Sequence, residues 1–285
     1  MLSTMTQTHP AQTLTHTTRT ITPRSPELDF AAVPRNWIAD SSLATQIANG
    51  VNLLFPAGER FFVRSVRHYL EQLDDDALRT QVKAFFGQEG RHARAHERQF
   101  EVLREQGYDV DGFLRVYEPL LARIEKMSPP ALRLSVTVAL EHYTAIMAHG
   151  MLSDPEISDA MFPEMARLLR WHAAEEIEHK SVAFDVLTAV NPSYRVRMAG
   201  MGIATVGLAA FWIAATTHLL VQDRRAGRPL RRHDLDRIKT RKRSIARDVF
   251  AAGLRAYVRR DFHPNDVDDY ALAEQFLRDA GMVAG

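Results

Sequence analysis

Two glutamate–histidine pairs at helical spacing, Glu89-x-x-His92 and Glu176-x-x-His179, constrain this chain more than any other feature. A Glu and a His one turn apart on an α-helix project from the same side. A solitary Glu stands one segment ahead of each pair: Glu59 before the first, Glu141 before the second. Both occupy places where apolar residues are expected. Glu141 shares its face with Thr137, Val138, Thr144 and Ala145, Glu59 with Phe55, Phe62 and Val63, and Glu89 with Phe85, Phe86 and Ala93. A carboxylate on a buried face requires a cation, a proton or a hydrogen-bonding partner. The order Glu, ExxH, Glu, ExxH over four helices gathers four carboxylates and two imidazoles inside one bundle, a donor set able to hold two metal ions.

The local signals agree with a helical reading. Pro56 precedes a segment from Ala57 to Leu73. The cluster Asp74-Asp75-Asp76 supplies a cap for a long helix ending before Gly107. A shorter helix is expected over Asp111–Lys126, and Ser128-Pro129-Pro130 starts another running to about Leu152. Asp154-Pro155 and Pro163 introduce one more, ending near Asn191-Pro192, and two further candidates cover about Asp234–Arg259 and Asp266–Ala280. Alternating β patterns are missing, as are a Walker loop, GxGxxG and G-x-S-x-G. The expectation is an all-α chain: a disordered Thr- and Pro-rich tail over 1–33, a ferritin-like four-helix bundle with a dinuclear metal site over 34–192, and additional C-terminal helices over 193–285.

Composition narrows the chemistry. There are no cysteines, which excludes disulfides, thiolate metal sites, iron–sulfur clusters and cysteine nucleophiles. Lys and Arg number 36 against 35 Asp and Glu, so the basic excess typical of a nucleic-acid binder is missing. Any metal must be held by His, Asp and Glu. An oxygen-rich set with imidazoles suits two Fe ions, and Mn or a mixed Fe/Mn pair fits the same donors. Four carboxylates also offset the formal charge of two divalent cations. His172, four residues before Glu176 and seven before His179, falls on the same face and supplies a candidate third imidazole. The candidate ligands are thus Glu59, Glu89, His92, Glu141, His172, Glu176 and His179. His96 is a weaker candidate for a hydrogen-bonding role behind them. Glu175 and Glu178 are expected to be solvated or ion-paired, with Glu175 able to replace Glu176 if the register differs.

The segment Met198–Val221 contains no Asp, Glu, Lys or Arg. As a helix it spans about 36 Å, enough for a bilayer core. Arg224, Arg225, Arg228, Arg231 and Arg232 follow it, against Arg195 and Arg197 before it, which would put the C-terminus in the cytoplasm. Membrane contact through 198–221, packing inside the protein and a homodimer face are the three readings.

The stretches Pro56-Ala57-Gly58-Glu59-Arg60-Phe61-Phe62, Gln88-Glu89-Gly90-Arg91-His92, Leu140-Glu141-His142-Tyr143-Thr144-Ala145 and Trp171 through Asp185 resemble a bacterial family described as predicted metal-dependent hydrolases, and Phe262-His263-Pro264 also fits it. The resemblance covers roughly residues 30–270. The ligand pattern is also similar to the ferritin-like diiron N-oxygenases that act on p-aminobenzoate, in which a His stands four residues before the Glu of the last ExxH, as His172 does. That likeness implies Glu59 and His92 on one metal, Glu141, His179 and His172 on the other, and Glu89 and Glu176 bridging. It further implies a diiron oxygenase or oxidase using O2, a small-molecule substrate and an electron donor that the sequence does not identify. A dinuclear hydrolase with a metal-activated water is the alternative, and a non-catalytic metal-binding or membrane-associated protein the second alternative.

Overall fold

The computed structural model describes residues 20–232, 234 and 251–282. Among the described residues the regular elements are all helical, and the one strand-like contact is an isolated bridge between Ile38 and Met161. The α-helices are α1 (Ser42–Asn52), α2 (Phe55–Arg67), α3 (Asp76–Glu105), α4 (Val110–Met127), α5 (Pro130–Ser153), α6 (Pro155–Asp159), α7 (Pro163–His179), α8 (Val182–Val190), α9 (Tyr194–Arg225), α10 (Ala252–Tyr257) and α11 (Tyr270–Asp279). Their ends follow the expected chemistry. The Asp75 carboxylate accepts from the backbone N–H groups of Ala77 and Leu78, Gly107 leaves α3 at φ 86°, and Pro130, Pro155 and Pro163 sit in first turns.

Four helices, α2, α3, α5 and α7, carry the candidate ligands and enclose the core between them. α2 packs on α3, and α5 packs on both α2 and α7. Buried Phe61, Phe62, Val66, Phe85 and Val138 fill one part of the interior; Trp171, Met165, Leu168 and Ile177 fill another. At about 25 cal/mol per Å² of apolar surface, such clusters are the main source of stability and hold the polar centre in place.

Several expected boundaries shift. α2 ends at Arg67 and is followed by a tighter turn at Leu70–Gln72. The segment expected to run unbroken from Pro163 to Asn191 is two helices. At the break, Lys180 is buried and its ammonium donates to Asp269 and to the Val267 carbonyl. α1 is not among the expected elements; its apolar stripe, Leu43, Ile47 and Val51, is only half-buried, while its fully buried face carries Thr45, Gln46, Asn49 and Asn52. The candidate helix Asp234–Arg259 lies largely outside the described residues, with α10 at its end; the candidate over Asp266–Ala280 is seen as α11.

The expectation of a disordered tail through residue 33 is corrected for its described part; residues 1–19 lie outside the described residues. Ile21, Leu28, Phe30 and Val33 are buried. The segment crosses the bundle as an extended strap, whose irregularly spaced apolar residues a helix- or strand-period search does not detect.

α9 is long and apolar enough to cross a membrane by length and composition, yet it lies along the bundle. It packs on α5 and α1. Gly200 meets Ser135 so closely that a Cβ there would overlap the Ser135 backbone, and the Trp212 indole N–H donates to the Ile47 carbonyl at 2.7 Å. Near its C-terminal end, Asp223 accepts from Tyr108 and Gln46. Its opposite face is open, with Val206 71% and Ile213 67% exposed.

Candidate metal centre

The structure brings all seven sequence candidates into one buried cluster. α2 supplies Glu59, α3 supplies Glu89 and His92, α5 supplies Glu141, and α7 supplies His172, Glu176 and His179; none is more than 4% exposed. Two carboxylates occupy the middle. Glu89 Oε1 lies 3.7 Å from His92 Nδ1 and 3.2 Å from His179 Nε2, and Glu176 Oε1 lies 3.5 Å and 3.4 Å from the same two nitrogens. The other two carboxylates are at the ends. Glu141 Oε2 is 3.4 Å from His179 Nε2, and Glu59 Oε1 is 3.7 Å from His172 Nε2. Three sets of donor atoms converge closely enough to share an ion: Glu59–His92–His172, Glu89–His92–Glu176 and Glu89–Glu141–His179.

One part of the expected partition is corrected. His172 stands with Glu59 and His92, away from the Glu141 end. The reason is the level at which α7 lies against its neighbours: it brings His172 Nε2 to Glu59 on α2 and leaves His179 Nε2 beside Glu141 on α5. The His172 and His92 rings lie 4.2 Å apart, centroid to centroid. His172→Phe keeps volume and burial, so the helical fold is expected to persist while metal occupancy falls at the Glu59 end. Metal analysis of the purified variant checks this; unchanged content would leave His172 as a packing residue.

Each inward-facing imidazole is held from behind. His92 Nε2–H donates to Glu175 Oε2 at 3.0 Å, and His179 Nδ1–H donates to Gln88 Oε1 at 2.8 Å. His172 Nδ1 pairs with His96 Nε2 at 2.7 Å, giving His96 the supporting place expected of it. Such partners fix which nitrogen faces the centre and which carries the proton. Of the two expected states of Glu175, solvated or ion-paired, the structure shows the second: it is wholly buried and also accepts from Arg24, which spans to Glu178 as well. Arg24 and Gln88 carry no pattern by which sequence reading could have found them.

The donor atoms themselves lack hydrogen-bond partners. Both oxygens of Glu59, Glu89 and Glu141, Glu176 Oε2, His92 Nδ1 and His179 Nε2 are buried without one. Buried polar atoms are normally paired, so orphaned acceptors converging on one point fit a cation. Without metal, protons take that place. Burial, reinforced by Glu89, raises Glu59 well above the usual carboxylate range, and burial pushes Glu141 to about 8. Against burial, the surrounding carboxylates raise His92 and His179 well above ordinary imidazoles. Glu89 and Glu176 are lowered despite burial, Glu89 by the nearby His179 and His92 imidazoles, Glu176 by the charge of His179 and by His172. In the metal-free cluster these shifts favour protons on Glu59, Glu141, His92 and His179. Loading divalent ions near pH 7 is therefore expected to release protons, and affinity is expected to fall as pH drops. A titration in weak buffer reads the release directly; release of none would mean that the ligands are already deprotonated.

A cavity of about 160 Å³ reaches Glu59, the one candidate ligand among its lining residues. Its walls are almost wholly apolar, including Phe55, Phe62, Leu140, Leu208 and Phe211.

A helical bundle around buried carboxylates and imidazoles defines a helical protein equipped to bind metal. The chain belongs to the family described as predicted metal-dependent hydrolase, whose profile matches residues 22–268. No curated protein and no solved structure matches it.

Proposed function

We propose that the cluster holds a pair of divalent metal ions and that the chain is an enzyme using them on a small, largely apolar molecule. The orphaned donor atoms of Glu59, Glu89, Glu141, Glu176, His92 and His179 carry this reading. Such a pair supplies Lewis acidity toward water and substrate oxygens, and with Fe or Mn a redox couple as well. Glu89 and Glu176 would be shared between the ions, since each reaches both His92 and His179. Glu59 and Glu141 would complete the two ends. Glu175 and Gln88 keep the outer protons on His92 and His179, so the inner nitrogens stay available as ligands. Substrate would meet the centre beside Glu59, where the cavity ends.

Membership of the family puts hydrolysis first among the reactions. A second reading, oxidation by O2 at a ferritin-like diiron centre, is favoured by the cavity. Among the described residues its lining holds no imidazole, and its carboxylate other than Glu59, Glu125, is engaged by Arg64. Anaerobic reconstitution followed by metal analysis, stopped-flow absorbance on O2 exposure and an ester-hydrolysis screen separates the two. Two redox metals with a transient visible band support oxidation. Hydrolysis with zinc and indifference to O2 support the hydrolase. Failure to retain any metal would sink both.

The open faces suggest where the chain works. Val116, Leu120, Ile124 and Met127 form one stripe on α4, and Ile203, Val206 and Ile213 another on α9, both beside the cavity. Arg224 and Arg225 follow as α9 ends. We propose that this side rests on an anionic bilayer while the bundle stays outside it. Co-sedimentation with anionic vesicles is expected, and the double change Val206→Asp with Ile213→Asp should abolish it; equal sedimentation of the variant would refute the docking.

A further inference from the structure

We infer that the cavity beside the centre binds a single-chain amphiphile with an anionic head, its tail lying toward Glu59 and its head on Arg133; this names a substrate class for the site and rests on the reading of that site as a metal centre.

The cavity is elongated. On α5 its lining runs from Leu132 and Arg133 past Leu140 to Met147, and on α4 from Tyr117 to Ser128. At 1.5 Å per residue, the α4 wall alone is about 16 Å long. A compact polar substrate would leave most of that surface without partners, whereas an extended hydrocarbon tail covers it and removes its own surface from water. The walls contributed by α2, α4, α5 and α9 are nearly all apolar, so the specificity of the middle section is for chain length and width.

The polar groups are set apart from the centre. Arg133 stands two turns before Glu141 on α5, about 12 Å along the helix axis. Its neighbour Glu125 is already engaged by Arg64, whose Nε donates to Oε1 at 3.0 Å and whose Nη2 donates to Oε2 at 2.7 Å. Arg133 Nη1 lies 3.9 Å from Glu125, and Arg133 Nε is buried with no hydrogen-bond partner. Two guanidinium groups against one carboxylate leave an unspent positive charge at this end, in a geometry that suits a carboxylate. An anionic head there and a tail running toward Glu59 would set one carbon of the chain beside the metals.

Gly207 provides the test. It lines the cavity on the α9 face that also bears Ala204, Leu208 and Phe211, and a Cβ built on it meets nothing within 4 Å. Gly207→Leu therefore fills the cavity while replacing a poor helix residue with a good one. Titration calorimetry of the full chain, metal-loaded and metal-free, would use octanoate, octanol and butanoate as probes. Saturable octanoate binding is expected, with butanoate failing to compete. Gly207→Leu should weaken octanoate by about ten-fold or more, and Arg133→Met should weaken octanoate by a similar factor while sparing octanol. Equal octanoate binding by wild type and Gly207→Leu would place the probe on the exposed apolar faces and overturn the inference. So would equal loss of octanol and octanoate in Arg133→Met. The metal content of each sample keeps the two readings apart. A chain holding two metals but ignoring octanoate overturns the cavity assignment alone. Gly207-dependent octanoate binding in a chain that takes up no metal supports the cavity and refutes the metal centre.

Discussion

Glu176→Ala will emerge from purification nearly free of metal, whereas Glu59→Ala will retain a substantial fraction. The difference follows from position. Glu176 Oε1 lies 3.0 Å from His172 Nε2, 3.5 Å from His92 Nδ1 and 3.4 Å from His179 Nε2, so it meets all three inward-facing imidazoles. Glu59 is within ion-pair distance of His172 alone. Removing Glu176 withdraws a donor from both ions and leaves three carboxylates to offset the formal charge of two divalent cations, in an interior where uncompensated charge is costly. Glu89→Ala should behave like Glu176→Ala, because Glu89 also reaches both His92 and His179. Glu176→Gln, which keeps the shape and removes the charge, should lose metal almost as completely. The helical signal should survive in all four variants, since the apolar clusters beside the centre are untouched. Elemental analysis after dialysis against a weak chelator gives the ranking. Two tightly held metals in Glu176→Ala would show that Glu176 is not shared.

The site was legible in sequence because a helix converts spacing into direction, and because a carboxylate among apolar neighbours is conspicuous. Glu141 beside Val138 and Ala145 is the plainest case. Periodicity could not say which end of the centre His172 serves; that depends on the level at which α7 lies against α2 and α3. Nor could it place Glu175. That residue lies about 100° around α7 from Glu176, on a face that would meet solvent if the bundle were alone. The strap bearing Arg24 covers that face, and the covering segment is more than half the chain away in sequence. The burial of α1's polar face was illegible for a different reason. Its buried Gln46 and Asn49 are satisfied by Asp223, Tyr108 and Trp37, partners that only the tertiary fold supplies.

Arg24→Ala tests whether the strap belongs to the working centre or only covers it. Arg24 Nη1 donates to Glu175 Oε1 at 3.2 Å and to Glu178 Oε2 at 2.7 Å, and its backbone N–H donates to Glu175 Oε1 at 3.0 Å. The Arg24 side chain is 13% exposed and that of Glu175 not at all. Against the cost of burial, these carboxylates raise the affinity of the guanidinium for its proton, so it stays charged throughout the accessible pH range. Removing it leaves Glu175 buried without its cation, which costs about 3 kcal/mol, the lower end for a broken buried pair because Glu178 keeps some access to water. For a chain of this length that corresponds to a fall in Tm of roughly 5 °C. A second effect follows from the other oxygen of Glu175, which accepts from His92 Nε2. If Glu175 relieves its isolation by taking up a proton or by turning away, His92 loses the acceptor that orients it. Metal affinity should then drop by about ten- to a hundred-fold. Thermal melts with and without metal separate the two effects. A strap that only covers the bundle would lower the metal-free and metal-loaded Tm equally. A strap that holds Glu175 against His92 would also shrink the gain in Tm on adding metal. Arg24→Lys restores the charge but not the fork that spans Glu175 and Glu178, so it should recover part of the stability and less of the affinity.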